Sequence, residues 1–213
     1  MFKFDNNTSM INKPYSESCD QNKAPILSVI EKYFSQPDAT VLEIGSGTGQ
    51  HASYFPRQLT YLNWQPSDIV SNIQGIEAWR LSAELTNVYP AKILDVTQSL
   101  WPIESVEYIF SANTLHIMSW PAVEAMFAGI RSILKPTGLF CVYGPFNYNG
   151  QFTSASNTQF DQWLKSRDPK SGIRDFEALC ALGTQESAHP PLKLINDHAM
   201  PANNRILVFQ SHA

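Results

Sequence analysis

Short apolar stretches alternate with stretches of helical periodicity along most of the chain. The apolar stretches are bounded by turn residues and are too short for helices, so each predicts a β-strand. The predicted strands are 40–44, 59–64, 91–96, 106–112 and 138–144. The predicted helices are 50–55, 71–85, 120–134 and a first helix that begins at Pro25 and repeats Ile26, Leu27, Ile30 and Phe34 at helical spacing. This alternation predicts right-handed βαβ units around a parallel sheet.

The C-terminal part of the chain has a different pattern. Two helices, 157–167 and 174–182, are predicted within a helical and loop insertion at 145–185, after the fifth strand. Two more strands, "PLKLINDHA" and "NRILVFQ", follow with too few residues between them for a crossover helix, so we expect them to pair antiparallel. The predicted fold is α/β: a Rossmann-like, doubly wound sheet of seven strands, mostly parallel, with a C-terminal antiparallel hairpin.

Composition narrows the classes of protein that the chain can belong to. With 213 residues and 43% apolar residues, it is long and apolar enough for a single domain over residues 1–213. The net charge is −4 and no run of Lys or Arg occurs, so we expect no nucleic-acid partner. Three separated cysteines, no signal-peptide core and no long apolar run indicate a cytoplasmic protein with no membrane segment and no metal site.

A glycine-rich turn follows the first predicted strand in "VLEIGSGTGQH". Gly45 and Gly47 allow a sharp turn and a close approach to a ligand, beside the free N–H groups of the next helix. The dinucleotide fingerprint G-x-G-x-x-G requires glycine at position 50, which is Gln50 here, and the third glycine is Gly49. A nicotinamide dinucleotide is therefore disfavoured, although a tight turn without any ligand would explain the glycines alone.

Acidic residues lie near the ends of three successive strands. Glu43 precedes the glycines, Asp68 follows the second strand, and Asp95 closes the third, where the backbone N–H of Val96 suits an adenine nitrogen. At the carboxyl edge of a doubly wound sheet, an acid in the position of Asp68 accepts hydrogen bonds from ribose hydroxyls. Each acid could instead cap a helix or a turn, but together they favour a nucleoside site.

The G-x-G-x-G spacing with Glu43 resembles the first motif of class I S-adenosylmethionine-dependent methyltransferases, over about residues 22–145. "LEIGSGTGQH", "WQPSD", "LDVT", "ANTLHI", "YGPF" and "MPANN" are similar to the methyltransferase-like 26 group over nearly the whole chain. The resemblance implies S-adenosylmethionine as cofactor, contacted by Glu43, Gly45, Gly47, Asp68 and Asp95, with Asn113 near the sulfonium. We assign four further residues to the same site: Ser46, Gly49, His51 and Val96.

The end of the fourth strand, "SANTLHIM", supplies the first candidate for chemistry. His116 follows Asn113 at the rim of the expected pocket and is the best general base, though a structural histidine fits as well. Asn113 is not followed by the Pro-Pro-Tyr of amino-methylating DNA enzymes, which weakens a nucleobase acceptor. Tyr143, in the fifth strand, is the second catalytic candidate.

The long segment after the fifth strand suits a flat, modestly polar acceptor, because it offers aromatic rings and amides without net charge. The expected substrate-binding residues are Phe146, Asn147, Asn157 and Asn203. The charged segment "KSRDPKSGIRD" reads best as a solvated turn with local ion pairs. The N-terminal arm, 1–23, could cover the cofactor through Asn22, although Asn22 could equally cap the first helix.

These observations predict a methyltransferase that acts on a small molecule, as a monomer or homodimer. Two alternatives stay open. A protein or peptide methyltransferase would require an open, acidic groove, and a binding module would keep the cofactor site without turnover.

Overall fold

A seven-stranded sheet forms the centre of the protein in the computed structural model, which describes residues 13–212. Its strands are β1 (Thr40–Ile44), β2 (Asn63–Asp68), β3 (Lys92–Ile93), β4 (Val106–Ala112), β5 (Leu134–Gly144), β8 (Leu192–Met200) and β9 (Asn204–Ser211). Their spatial order is β3-β2-β1-β4-β5-β9-β8. Strands β1 to β5 are parallel, and β9 pairs antiparallel with both β5 and β8. The predicted fold class is confirmed.

Helices connect the strands, and a small second sheet lies in the segment after β5. The helices are α1 (Glu17–Ile30), α2 (Gln50–Gln58), α3 (Val70–Ala83), α4 (Trp120–Ile133), α5 (Ala155–Arg167) and α6 (Phe176–Thr184). Strands β6 (Phe146–Asn147) and β7 (Arg174–Asp175) pair in parallel, and α5 lies between them in the sequence. A 3₁₀ turn, Pro201–Asn203, connects β8 to β9. In the described residues, no helix is both long and apolar enough to cross a lipid bilayer.

Alternate residues of the central strands supply two separate apolar cores. On β5, Cys141 and Tyr143 pack on one face of the sheet, with residues of α1 and α2. Phe140 and Val142 pack on the other face, with residues of α4 and α6. This two-residue period is the expected consequence of a strand buried on both sides. The sheet is therefore covered on both faces and reaches solvent only at its ends and edges.

The predicted bounds of the second strand were wrong. Strand β2 was placed at 59–64, but it begins at Asn63 and includes the "QPS" that reads as a turn. Leu59 and Leu62 are buried, as the apolar pattern predicted, but they lie in the turn that follows α2 and not in a strand. Pro66 lies inside the strand, opposite Glu43 of β1, although proline usually argues against a central strand.

The first helix also begins earlier than predicted. It starts at Glu17, and Pro25 is an interior residue instead of its first one. The polar run before Pro25 hid the first part of the helix, because its apolar face appears only from Ile26 onward. Asn22 therefore does not cap this helix, since Ser16 occupies the N-cap position. Of the predicted N-terminal arm, residues 1–12 lie outside the described residues.

Gly49 controls how closely α2 and α3 approach each other. Its φ of +90° lies in the left-handed region, and a methyl group there would lie 2.8 Å from Cα of Ile76. That neighbour is helix backbone and has little freedom to move. Gly150 has a similar φ of +69°, but a methyl group there would meet nothing within 4 Å.

We predict that Gly49→Ala lowers the free energy of unfolding by about 2–5 kcal/mol, the sum of left-handed strain and overpacking. Gly150→Ala carries only the strain and should cost about 1–2 kcal/mol. Urea denaturation of both variants measures the difference. Equal losses would show that the packing of Gly49 against α3 contributes nothing.

Candidate functional site

A cavity of about 430 Å³ lies at the carboxyl ends of β1, β2, β3 and β4. Eight residues assigned to the cofactor from sequence line it: Gly45, Ser46, Gly47, His51, Asp68, Asp95, Val96 and Asn113. They come from four strand ends and the start of α2, so the parallel sheet is what brings them together. The volume is within the range of small-molecule sites.

The glycine loop has one residue that faces open space and two that face protein. Gly47, at φ +56°, would place a methyl group with nothing within 4 Å. At Gly45, with φ +74°, a methyl group would lie 2.6 Å from Oγ1 of Thr114. Gly49 packs against α3 behind the loop and is absent from the cavity lining. Its assignment to the cofactor is therefore corrected to a packing role.

The carboxylate of Asp68 joins the glycine loop to α3. Its Oδ2 accepts a hydrogen bond of 2.7 Å from the backbone N–H of Gly47. Its Oδ1 accepts from the backbone N–H of Ile69 at 2.7 Å and from Nδ2 of Asn72 at 2.9 Å. A carboxylate has about four acceptor positions, so Asp68 retains capacity for a ligand hydroxyl.

Asp95 is exposed at the mouth of the cavity. Its Oδ1 accepts hydrogen bonds from Oγ1 and the backbone N–H of Thr97, at 2.7 and 3.0 Å. These bonds lower the pKa of the carboxyl group below its ordinary value. The geometry is that of a local turn cap, which was the alternative reading of this residue, but Asp95 also lines the cavity.

Glu43 lies beneath the glycine loop and outside the cavity lining. Its side chain is buried, and Oε2 accepts a hydrogen bond of 2.8 Å from Nε1 of Trp64. Burial, opposed by the bonds from Trp64 and Ser46, raises the pKa of Glu43 to about 7. The direct contact with a cofactor that the resemblance implied is not present, because the carboxyl group is turned into the protein.

An apolar wall of this cavity was not predicted. Ile69, Leu94, Ile117 and Met118 line it beside Val96. Each follows a strand or lies in the loop after β4, where an apolar residue reads as ordinary core. Only the three-dimensional proximity of these loops indicates a surface for a flat ring.

Residues 13–19, called the N-terminal strap below, lie across the other side of the cavity. Ser16, Ser18 and Cys19 line the cavity. The side chain of Gln50 accepts from the backbone N–H of Ser16 at 2.6 Å and donates to its carbonyl at 3.2 Å. The indole N–H of Trp79 donates to the carbonyl of Pro14 at 2.7 Å. Gln50, which stands where a dinucleotide fold needs glycine, thus holds the strap.

A second cavity, of about 680 Å³, adjoins the first. Ser18, Asn113 and Ile117 line both cavities and form the wall between them. Asn113 has a left-handed backbone, at φ +56°, and its N–H donates to the carbonyl of Tyr143 at 2.9 Å. This conformation ends β4 and turns the chain between the two cavities.

Both candidates for catalysis line the second cavity. His116 is buried, and its ring meets that of Phe160 edge to face at 5.1 Å between centroids. A methyl group at Gly144 would lie 3.8 Å from Nδ1 of His116. Burial and the nearby guanidinium of Arg174 lower the pKa of His116 to about 4, so its imidazole is neutral at pH 7.

Asn22 links Tyr143 to the wall of the first cavity. Its Oδ1 lies 2.7 Å from Nε2 of His51, and its side chain lies near the hydroxyl group of Tyr143. Burial raises the pKa of Tyr143, and the nearby amide of Asn22 opposes this rise. Asn22 lines the second cavity and not the first, so its predicted cofactor contact is replaced by a place between His51 and Tyr143.

The predicted substrate-binding residues separate into two groups. Asn157 lines the second cavity. Phe146 is 2% exposed within the apolar core, so it offers no face to a ligand. Asn147 is also buried and outside the lining, and its Oδ1 has no hydrogen-bond partner among the described residues. Asn203 is outside the lining as well, but its carbonyl accepts from Nδ2 of Asn157 at 3.4 Å.

Arg174 was expected in a solvated turn, and this was wrong. Its guanidinium donates to the carbonyls of Leu115 and Met118, in the loop that carries His116, and to that of Lys170. These carbonyls would otherwise lack strong donors, so Arg174 ties the segment after α5 to the loop after β4.

Solved methyltransferase structures share this fold. Mitomycin 7-O-methyltransferase MmcR superposes with a TM-score of 0.75 at 15% identity, over 91% of this chain and 54% of MmcR. SibL, an S-adenosylmethionine-dependent methyltransferase, superposes with a TM-score of 0.73 at 16% identity, over 92% of this chain and 56% of SibL. The chain spans about half of each. The fold class is therefore that of the Rossmann-like, class I methyltransferases.

The chain itself belongs to the family described as "Protein of unknown function (DUF938)", whose model matches residues 13–211. A hybrid PKS-NRPS synthetase, iliA of Neonectria sp. (strain DH2), is 31% identical over 140 residues. That match covers 61% of this chain and 3% of the synthetase.

The raised pKa of Glu43 predicts a pH dependence of stability. The unfolded chain releases this proton near pH 4.5 and the folded protein near pH 7, so stability falls as pH rises between these values and the loss is complete above them. We predict that, between pH 4.5 and pH 8, the wild type loses about 3 kcal/mol relative to Glu43→Gln.

Chemical denaturation at the two pH values measures this difference. Glu124→Gln, an exposed change on α4, is the control and should keep the wild-type pH dependence. If the stability of Glu43→Gln depends on pH as strongly as that of the wild type, the pH dependence does not come from Glu43.

Proposed function

We propose that the protein is an S-adenosylmethionine-dependent methyltransferase that acts on a small-molecule acceptor. The observation that carries the proposal is the pair of adjoining cavities at the carboxyl edge of a methyltransferase-type sheet, with Asn113 in their shared wall. The first would hold the cofactor and the second the acceptor.

The residues of the first cavity fit this cofactor. Asp68 would accept from the ribose hydroxyls, and Leu94, Val96 and Met118 offer an apolar surface for adenine. The open side of Gly47 allows the ligand to approach the backbone. Asp95 at the mouth would add a second acceptor. Glu43 would act indirectly, by supporting the loop through Trp64 and Ser46.

When bound, S-adenosylmethionine supplies a methyl group on a sulfonium, which the acceptor atom takes as the carbon–sulfur bond breaks and a thioether leaves. The protein mainly has to hold the acceptor in line, and such positioning is worth about 7–11 kcal/mol. A neutral imidazole at His116 can accept the acceptor's proton. If Asn22 donates to the oxygen of Tyr143, the hydroxyl hydrogen of Tyr143 remains free to donate to an acceptor oxygen.

A small molecule is favoured over a protein or peptide by the walls of the second cavity. An acidic groove would suit a basic peptide, but none of the described residues that line this cavity is Asp or Glu. The cavity also lies between α1, α5 and the turn of the β8–β9 hairpin, which form three of its walls. A binding module without turnover would retain the first cavity and bind the cofactor equally well.

Asp68 provides the test of the cofactor site. S-adenosylhomocysteine should bind the wild-type protein and raise its Tm. We predict that Asp68→Asn weakens this binding by about 10–100-fold, because a hydrogen bond to a charged acceptor contributes about 1.5–3 kcal/mol. Isothermal titration calorimetry measures both affinities.

Asp38→Asn is the control, because Asp38 lies in the turn before β1, at the opposite end of that strand. It should bind like the wild type. If S-adenosylhomocysteine does not bind the wild-type protein, the proposal is wrong. If it binds Asp68→Asn as tightly as the wild type, Asp68 has only a structural role. A metabolite extract with labelled cofactor would then identify the acceptor and separate an enzyme from a binding module.

We also propose that the N-terminal strap covers the bound cofactor. Ser16, Ser18 and Cys19 close one side of the cavity, and the two bonds from Gln50 hold this position. We predict that Gln50→Ala increases the dissociation rate of S-adenosylhomocysteine by about tenfold, since two backbone hydrogen bonds are lost.

Stopped-flow fluorescence measures that rate. Gln58→Ala, an exposed change in the same helix, serves as control and should leave the rate unchanged. A Gln50→Ala variant that binds and releases the ligand at wild-type rates would show that the strap is only a structural segment.

A further inference from the structure

The walls of the second cavity carry no formal charge at neutral pH. The described residues that line it come from α1, α5, the ends of β4 and β5 with the loops that follow them, and the turn between β8 and β9. None of these described residues is Asp, Glu, Lys or Arg, and the buried His116 has its pKa lowered to about 4.

Charged groups close to this cavity already have partners within the protein. Arg174 donates to the carbonyls of Leu115 and Met118. Asp161 is buried, accepts from the backbone N–H of Ile173 at 2.9 Å and pairs with Lys165 at 2.7 Å. The described residues of the lining therefore offer a charged acceptor no counter-ion, and moving such an acceptor out of water is unfavourable.

Uncharged polar groups replace charges in this cavity. Five carboxamides line it, from Gln21, Asn22, Asn113, Asn157 and Asn204. The side-chain oxygen of Asn22 is bonded to His51, and Nδ2 of Asn157 donates to Oγ1 of Thr153 at 2.9 Å. The side-chain oxygen of Asn157 remains able to accept a hydrogen bond from a ligand, and so does Oε1 of Gln21, whose Nε2 donates to Glu17 at 3.0 Å.

Helix α5 contributes a flat aromatic surface. The rings of Phe160 and Trp163 are stacked, with centroids 5.8 Å apart and planes at 16°. Arg167 lies over the ring of Trp163 at 4.7 Å, and Trp163 remains 49% exposed. A half-exposed indole beside a buried imidazole provides a stacking surface for a planar ring.

We propose that the second cavity accepts an uncharged, planar aromatic molecule that carries a hydroxyl group. A neutral hydroxyl both donates and accepts, so it matches His116 as proton acceptor and Tyr143 as donor. An aliphatic amine enters as an ammonium ion and a carboxylic acid as an anion, and the cavity offers neither a counter-ion. An aryl amine is uncharged but accepts hydrogen bonds poorly.

The step this implies rests on the proposed function. His116 would take the proton of the acceptor hydroxyl as the O–H bond breaks, and the acceptor oxygen would take the methyl group that the bound cofactor supplies as the methyl–sulfur bond breaks. His116 would then pass the proton to water, since burial and the charge of Arg174 disfavour a lasting imidazolium. Binding of the acceptor itself does not depend on this step.

Ring-matched probes test the inference by binding. Calorimetry at pH 7.5 compares 2-naphthol, 2-naphthoate, 2-naphthylmethylammonium and 2-naphthylamine on the full chain, with and without S-adenosylhomocysteine. We expect 2-naphthol to bind at least about tenfold more tightly than either ion, and more tightly than the aryl amine. Equal or tighter binding of an ion or of the aryl amine, or no binding of 2-naphthol at millimolar concentration, overturns the inference.

Two variants link the probe to the cavity. Asn157→Asp adds a carboxylate to the wall and should move the preference toward the ammonium probe, whereas Asn149→Asp, on an exposed turn outside the lining, should not. Trp163→Ala should weaken binding of 2-naphthol by about fivefold and Trp163→Phe should restore it, because stacking is retained. If Asn157→Asp leaves the probe preference unchanged and Trp163→Ala leaves the affinity for 2-naphthol unchanged, the probe binds elsewhere and the inference is overturned.

The outcome is separable from that of the proposed function. If S-adenosylhomocysteine stabilises the protein but an ion is the better probe, the cofactor proposal stands and the acceptor class is wrong. If 2-naphthol binds as expected but the nucleoside does not, the cavity has the inferred selectivity and the cofactor proposal fails.

Discussion

The carboxylate of Asp68 is the junction on which the first cavity depends. One oxygen accepts from the N–H of Gly47, and the other accepts from the N–H of Ile69 and the amide of Asn72. It thereby fixes the glycine loop after β1 relative to the start of α3. The loop itself has backbone angles that only glycine adopts readily, so its position depends on such external bonds. A ligand hydroxyl at Asp68 would meet acceptor oxygens that are already oriented, which lowers the ordering cost of binding.

Two polar side chains are fully buried beneath that junction, where burial opposes their hydration. Glu43 and Ser67 lie under the loop, where the hydroxyl of Ser67 donates to the carbonyl of Glu43 at 2.7 Å. The raised pKa of Glu43 shows that burial opposes its charge more strongly than its hydrogen bonds favour it. An ionised Glu43 destabilises the protein, so packing alone does not explain a carboxyl group at this position. Groups with such perturbed pKa values cluster at functional sites, which favours a role in the site above it.

Periodicity and turn chemistry were sufficient for the architecture but not for the walls of the site. Strand β4 was predicted with its observed bounds, because an apolar run between polar residues has few alternatives. The bounds of β2 were not predicted correctly, because Pro66 argues against a strand and because Leu59 and Leu62 are buried in the preceding turn. The clamp of Ser16 by Gln50 and the link from Asn22 to His51 join distant parts of the chain. Such contacts leave no local pattern. An N-terminal cover was expected from the sequence, but the bonds from Gln50 and the position of Asn22 between His51 and Tyr143 were not predictable from residue spacing.

The two cavities depend on a single turn of the backbone at Asn113. Its left-handed conformation ends β4, and its N–H bonds to the carbonyl of Tyr143 on β5, so the turn is anchored to the neighbouring strand. Helix α1 reaches the same place from the other side, where Asn22 hydrogen-bonds His51 and lies near the hydroxyl group of Tyr143. A displacement of α1 would therefore alter the two walls together. Because residues 17–19 of the N-terminal strap are the first residues of α1, the segment that covers one cavity also positions a wall of the other.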